Sequence, residues 1–137
     1  MSGRNRWIAI LFLLWNLIGA FAFVSQAMVD PAALTRTDPY MAHQFATMPL
    51  WAWAIYAVAI LGSVAASTAL AMGRAIAIPL YWLSLAALVA QVARGFLITD
   101  LLAVEGPGAA GIPALVALIA IGEIAFATRL RRMGLLS

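Results

Sequence analysis

The chain has no cysteine, which excludes disulfides, thiol nucleophiles and iron–sulfur ligation. It has no lysine either, and all eight of its basic residues are arginine. Charge of both signs is scarce. Only 9% of the 137 residues are charged, against about 25% in an ordinary soluble domain. The single histidine, His43, lies outside the apolar stretches, so no span offers a bis-histidine haem site, and a chlorophyll-type ligand would have to come from a partner chain. There is no P-loop, no H-E-x-x-H and no G-x-S-x-G, and Glu123 is the one acid within a span, so a carboxylate dyad is not available. These absences leave an enzyme as the least expected class and call for no cofactor or metal.

What the chain has in abundance is apolar residues, 66% of the total, with a mean hydropathy of +1.03. That composition predicts an integral membrane protein, and 137 residues make one domain at most. Four apolar stretches, at about 7–29, 50–72, 76–98 and 112–128, are each near the length that crosses a bilayer as a helix. The first is too long for the apolar region of a signal peptide and reads as a retained helix. The expected fold is all-α: an integral membrane four-helix bundle, up-down-up-down, forming a single transmembrane domain over 1–137.

Between the first two spans, Asp30-Pro31 and Asp38-Pro39 each read as an N-cap followed by proline at the first helical position. After the second pair, Met41, Phe45 and Met48 recur at helical spacing among polar neighbours, which predicts a short interfacial helix in the first outer loop. Trp51, Trp53 and Tyr56 open the second span as an aromatic anchor. Further along it, Ala59, Ser63, Ser67 and Ala71 repeat every four residues, a small-residue stripe suited to close helix packing.

The net charge of +3 might suggest nucleic acid as a partner, but the arginines stand at span ends and form no patch. Arg4, Arg6, Arg74, Arg129, Arg131 and Arg132 fall on one side of the membrane; Arg36 with Asp30, Asp38, Asp100 and Glu105 falls on the other. By the positive-inside rule both termini are expected in the cytoplasm.

The third span carries the most polar residues. Tyr81, Ser84, Gln91 and Arg94 share one side of it, which must face protein or water. Axial rise places Asn16, Ser67, Tyr81, Ser84 and Glu123 at similar depths, so the five could form one hydrogen-bonded cluster. Glu123 reads equally as a proton-coupled carboxyl or as a structural donor to Asn16 or Tyr81. Arg94 reads as half of a clamp to Asp30, Asp38 or Asp100, or as a substrate contact.

Several of these residues are also shared motifs. Trp15, Asn16 and Gly19, then Pro49-Leu50-Trp51, then Arg74, Ala77-Ile78-Pro79 and Ser84-Leu85 resemble a family of small four-helix bacterial inner-membrane proteins often labelled sugar transporters. The resemblance implies four spans and a small-solute path. Members carry an acid soon after the first-span glycine, where this chain has Ala20 and Ala22.

Two functions therefore stand open. One is a non-enzymatic accessory or assembly subunit docked on other membrane subunits or on itself. The other is a small-solute, sugar-like transporter working as a homo-oligomer, with Asn16, Gln91, Arg94 and Glu123 along its path.

Overall fold

A computed structural model describes residues 2–98, 108 and 111–137. The α-helices among these residues are α1 (Gly3–Ala27), α2 (Pro31–Leu34), α3 (Pro39–Thr47), α4 (Leu50–Ala71), α5 (Ala77–Ala93) and α6 (Gly111–Arg132), with a π-helical turn, Arg94–Ile98, continuing α5. No strand occurs among the described residues. α1, α4, α5 with its π turn, and α6 are each long and apolar enough to cross a membrane, with mean hydropathies of 2.3, 1.9, 1.4 and 1.9. At 1.5 Å per residue, the 22 residues of α4 rise about 33 Å, the thickness of a bilayer core. The chain is a multi-pass membrane protein with the up-down-up-down bundle read from its sequence.

The two Asp-Pro pairs cap as expected. Asp30 accepts from the Ala32 amide at 3.1 Å and starts α2, and Asp38 accepts from the Met41 amide at 3.1 Å and starts α3. α3 is the interfacial helix, and Phe45 from it packs on Trp53 of α4 at a ring separation of 6.1 Å. α4 and α6 both end in Schellman motifs. The Arg74 amide returns to the Ala69 carbonyl and that of Leu135 to the Leu130 carbonyl. Gly73 and Gly134 hold the left-handed conformations these closures need, at φ +74° and +73°.

Helix ends differ from the hydropathic ones. α1 begins at Gly3 rather than near residue 7, and α6 runs to Arg132 rather than 128. Apolarity marks where lipid stops, whereas arginine is a good helix former and is favoured by the dipole in a last turn. The Ser2 hydroxyl caps the extended start of α1, accepting from the Asn5 amide at 3.2 Å.

Around the bundle the order is α1, α4, α5, α6. α4 pairs most extensively with α5, then with α1, while α6 leans on α5. The seam between α6 and α1 is the loosest, closed by Phe12 edge-on to Phe126 at 5.7 Å. The tail after α6 docks on the α4–α5 turn, with the Ser137 amide donating to Gly73 and Ser137 accepting from the Ala75 amide. The start of α1, that turn and the end of α6 thus share one end of the bundle, with Arg4, Arg6, Arg74, Arg129, Arg131 and Arg132. The core is Leu70, Leu130 and Ile124 among alanines. Large side chains such as Leu11, Phe21, Leu61 and Leu118 face outward, as lipid contact requires.

Candidate functional site

Polar residues inside the bundle gather into one knot to which each spanning helix contributes a side chain: Asn16 from α1, Ser67 from α4, Tyr81 from α5 and Glu123 from α6. Their exposures are 8%, 0%, 2% and 2%, so lipid and water are both excluded. The Asn16 amide donates to Ser67 Oγ, to Glu123 Oε1 at 3.2 Å and Oε2 at 3.4 Å, and to the Ser63 carbonyl at 3.4 Å. Ser67 gives its one proton to the Ser63 carbonyl at 2.8 Å. Tyr81, 3.1 Å from Ser67 Oγ, is therefore the donor of that pair, and the serine oxygen accepts from both tyrosine and asparagine.

The knot contains four of the five residues that axial depth groups together. It differs from the expected cluster in two ways. Glu123 accepts from Asn16 instead of donating, and Tyr81 turns to Ser67 instead of Glu123. Ser84 stands apart, with its hydroxyl donating to the Ala59 carbonyl across the α4–α5 contact. At that contact Gly62, which the sequence reading passed over, lets the helices close. A Cβ there would stand 3.4 Å from Ser84 Cβ and 3.6 Å from its Cα. In the small-residue stripe, Ala59 and Ser67 are buried and Ser63 and Ala71 half-buried, so the stripe faces its neighbours and packs.

Tyr81→Phe keeps the ring and removes only the hydroxyl donor. Because Ser67 keeps its other two partners, the expected loss is small, about 0.5–1 kcal/mol, read as a shift in the denaturation midpoint in detergent.

At the opposite end the remaining polar residues form separate groups. Tyr56 donates to Gln26 Oε1 at 3.0 Å inside an aromatic cluster with Phe23 and Trp53. Gln91 and Arg94 are not brought to the knot. Gln91 stands ten residues beyond Tyr81 on α5, about 15 Å along the axis. The expected aspartate clamp does not form among the described residues. Asp30 and Asp38 are occupied as helix caps, and Asp100 lies outside the described residues, as do Thr99 and Glu105. Instead the Arg94 guanidinium lies over the Trp51 ring, 5.7 Å from its centre. Among the described residues, buried Arg94 Nε and Gln91 Oε1 have no hydrogen-bond partner.

Among the described residues two concavities stand out, and no knot residue lines either. One, about 280 Å³, is an apolar groove on the lipid side of α4 and α5, lined by Ala54, Val58, Leu83, Ala86, Ala87 and Ala90 among others. On α5, Leu83, Ala87, Ala90 and Arg94 fall in an arc of about 60°, and on α4 Trp51, Ile55 and Val58 do the same. The Arg94–Trp51 pair lies about a turn beyond the groove on the same two helices. The other concavity lies between α1 and α6 at the arginine-rich end.

Chemically the knot offers hydrogen bonds and no nucleophile–base pair. Among the described residues no group of three His, Cys, Asp or Glu could hold a metal ion. Comparison with family models, with curated proteins and with solved structures finds no match.

Proposed function

We propose that this chain is a non-enzymatic accessory or assembly subunit of a larger membrane complex, set in a bacterial inner membrane with the arginine-rich end in the cytoplasm. The sealed knot carries the reading. The buried polar side chains nearest the bundle centre are used to tie the four helices together, which leaves the outer surface as the place of action. The α4–α5 groove supports it further. Alanines let another backbone approach closely, and small-residue faces are how helices associate in lipid, where apolarity alone drives nothing. About a turn beyond the groove stands Arg94, whose Nε has no acceptor among the described residues. The occupant that fits both features is a transmembrane helix of another subunit, with small residues along one face and an acidic or amide side chain level with Arg94.

A photo-crosslinking residue placed at Ala87 is expected to give one discrete adduct in native membranes, whereas the same residue at lipid-facing Phe21 gives none. Ala87→Trp, which fills the groove, should abolish that partner's co-purification and leave the bundle's own stability within about 1 kcal/mol. Identical crosslinking from both faces, or from neither, contradicts the reading.

The unpartnered Gln91 Oε1 and Arg94 Nε also favour a second reading, a small-solute transporter acting as a homo-oligomer. It requires uptake that fails in both Glu123→Gln and Arg94→Met. Uptake surviving both changes removes it.

A further inference from the structure

The crevice between α1 and α6 has a volume of about 260 Å³ and is lined by Arg4 and Asn5 from the first turn of α1, Arg129 from the end of α6, and Ile8, Phe126 and Leu130 deeper in, with Ser2 and Met133 at its edge. We propose that it binds the phosphate headgroup of an anionic phospholipid, a site that does not depend on the docking role.

Charge makes the first part of the case. Arg4 and Arg129 reach one cavity from two helices, and among the described residues neither has an ion-pair or hydrogen-bond partner. Arg4 also stands where a helix least favours a cation, at the positive end of the α1 dipole, and the first turn contains no acid to offset it. Ser2 satisfies the Asn5 amide, but the amides of Gly3 and Arg4 belong to the first turn and have no acceptor within the helix. An oxyanion in the crevice would meet two guanidinium groups beside the positive end of α1. Among the described residues no acidic side chain lines the crevice. Asp30 and Asp38 cap helices at the other end of the bundle, and Glu123 is tied to Asn16.

Shape makes the second part. A free phosphate needs only the polar rim. Ile8, Phe126 and Leu130 add an apolar floor at the boundary of the spanning region, which suits the glycerol and first methylenes of a lipid. This seam is also the one the helices leave loosest, so a lipid can enter from the side without parting a packed pair.

The test is native mass spectrometry of the full-length protein in mixed micelles holding equal phosphatidylglycerol and phosphatidylcholine, with inorganic phosphate as a separate arm. The expected result is one retained phosphatidylglycerol per chain. Arg4→Gln with Arg129→Gln should weaken its retention about tenfold or more, since both charge-assisted hydrogen bonds to the phosphate are lost. Arg6→Gln with Arg132→Gln removes the same charge from the same end, outside the crevice, and should leave retention within twofold. Equal loss in the two double variants would reduce the site to diffuse charge and overturn the proposal. So would full displacement of the lipid by inorganic phosphate, or equal retention of phosphatidylcholine. Each variant is first checked for an unchanged unfolding midpoint, and bound lipid is counted on the folded species alone.

Discussion

Asn16→Ala is expected to destabilise the bundle by about 2–4 kcal/mol, measured as reversible unfolding in detergent or bicelles. Asn16 is the member of the knot that touches two other helices at once, donating to Ser67 on α4 and Glu123 on α6. A single interhelical hydrogen bond in lipid is worth only about 0.6 kcal/mol on average and about 1.7 at most, so the two lost bonds account for about 1–2. The rest comes from what the substitution leaves behind. Glu123 is 2% exposed and among the described residues its side chain is bonded by this amide alone, and a buried polar group stripped of its partner costs about 1–3 kcal/mol. The same logic makes Glu123→Gln mild, under about 1 kcal/mol, because an acceptor oxygen stays within reach of Asn16. Glu123→Ala in the Asn16→Ala background should be much less harmful than in the native chain, a coupling of at least about 1 kcal/mol in a double-mutant cycle. Independent losses at the two positions would mean that the knot does not hold α1 to α6.

Gly62→Leu is expected to be at least as damaging, about 3 kcal/mol, while Gly62→Ala stays within about 1 kcal/mol of the native chain. A methyl group fits at ordinary contact distance, 3.4 Å from Ser84 Cβ, and brings alanine's better helix propensity. Three further carbons have nowhere to go except into the α5 backbone, and over-packing a close helix contact typically costs 1–3 kcal/mol and occasionally more. The α4–α5 pair is the most extensive in the bundle and forms the walls of the outer groove. In an accessory subunit, Gly62→Leu should therefore release the partner as well. Thermal unfolding in detergent and co-purification of the partner report the two effects separately.

The sequence disclosed axial information well and rotational information poorly. Spans, turns and Asp-Pro caps follow from hydropathy and local backbone chemistry, and depth alone put Ser67, Tyr81 and Glu123 on one level with Asn16 about 5 Å deeper, near enough for one cluster. Depth also put Ser84 there, and only packing shows it turned toward the Ala59 carbonyl instead. In helices apolar on every side, no polar face reveals which residues look inward, so Gly62 and the groove alanines Ala54, Ala86, Ala87 and Ala90 gave no signal. Arg94 shows another limit. The same Asp30 and Asp38 that read as its partners also read as helix caps, and a carboxylate held in a cap at one place cannot clamp an arginine at another. With those acids occupied, Trp51, across from Arg94 on α4, takes the guanidinium on its ring face.

A chain without cysteine permits a direct test of whether the polar interior is closed. Ser67→Cys replaces one atom at the centre of the knot, and the folded protein in sealed, oriented vesicles is then exposed to a charged, membrane-impermeant thiol reagent from each side in turn. Ser2→Cys at the crevice rim serves as the reactive control. A sealed structural knot predicts rapid labelling at Ser2→Cys and none at Ser67→Cys from either side. Labelling of Ser67→Cys from one or both sides would show that water reaches the four-helix interior, and it would overturn the account of this chain as a bundle that works through its outer surface.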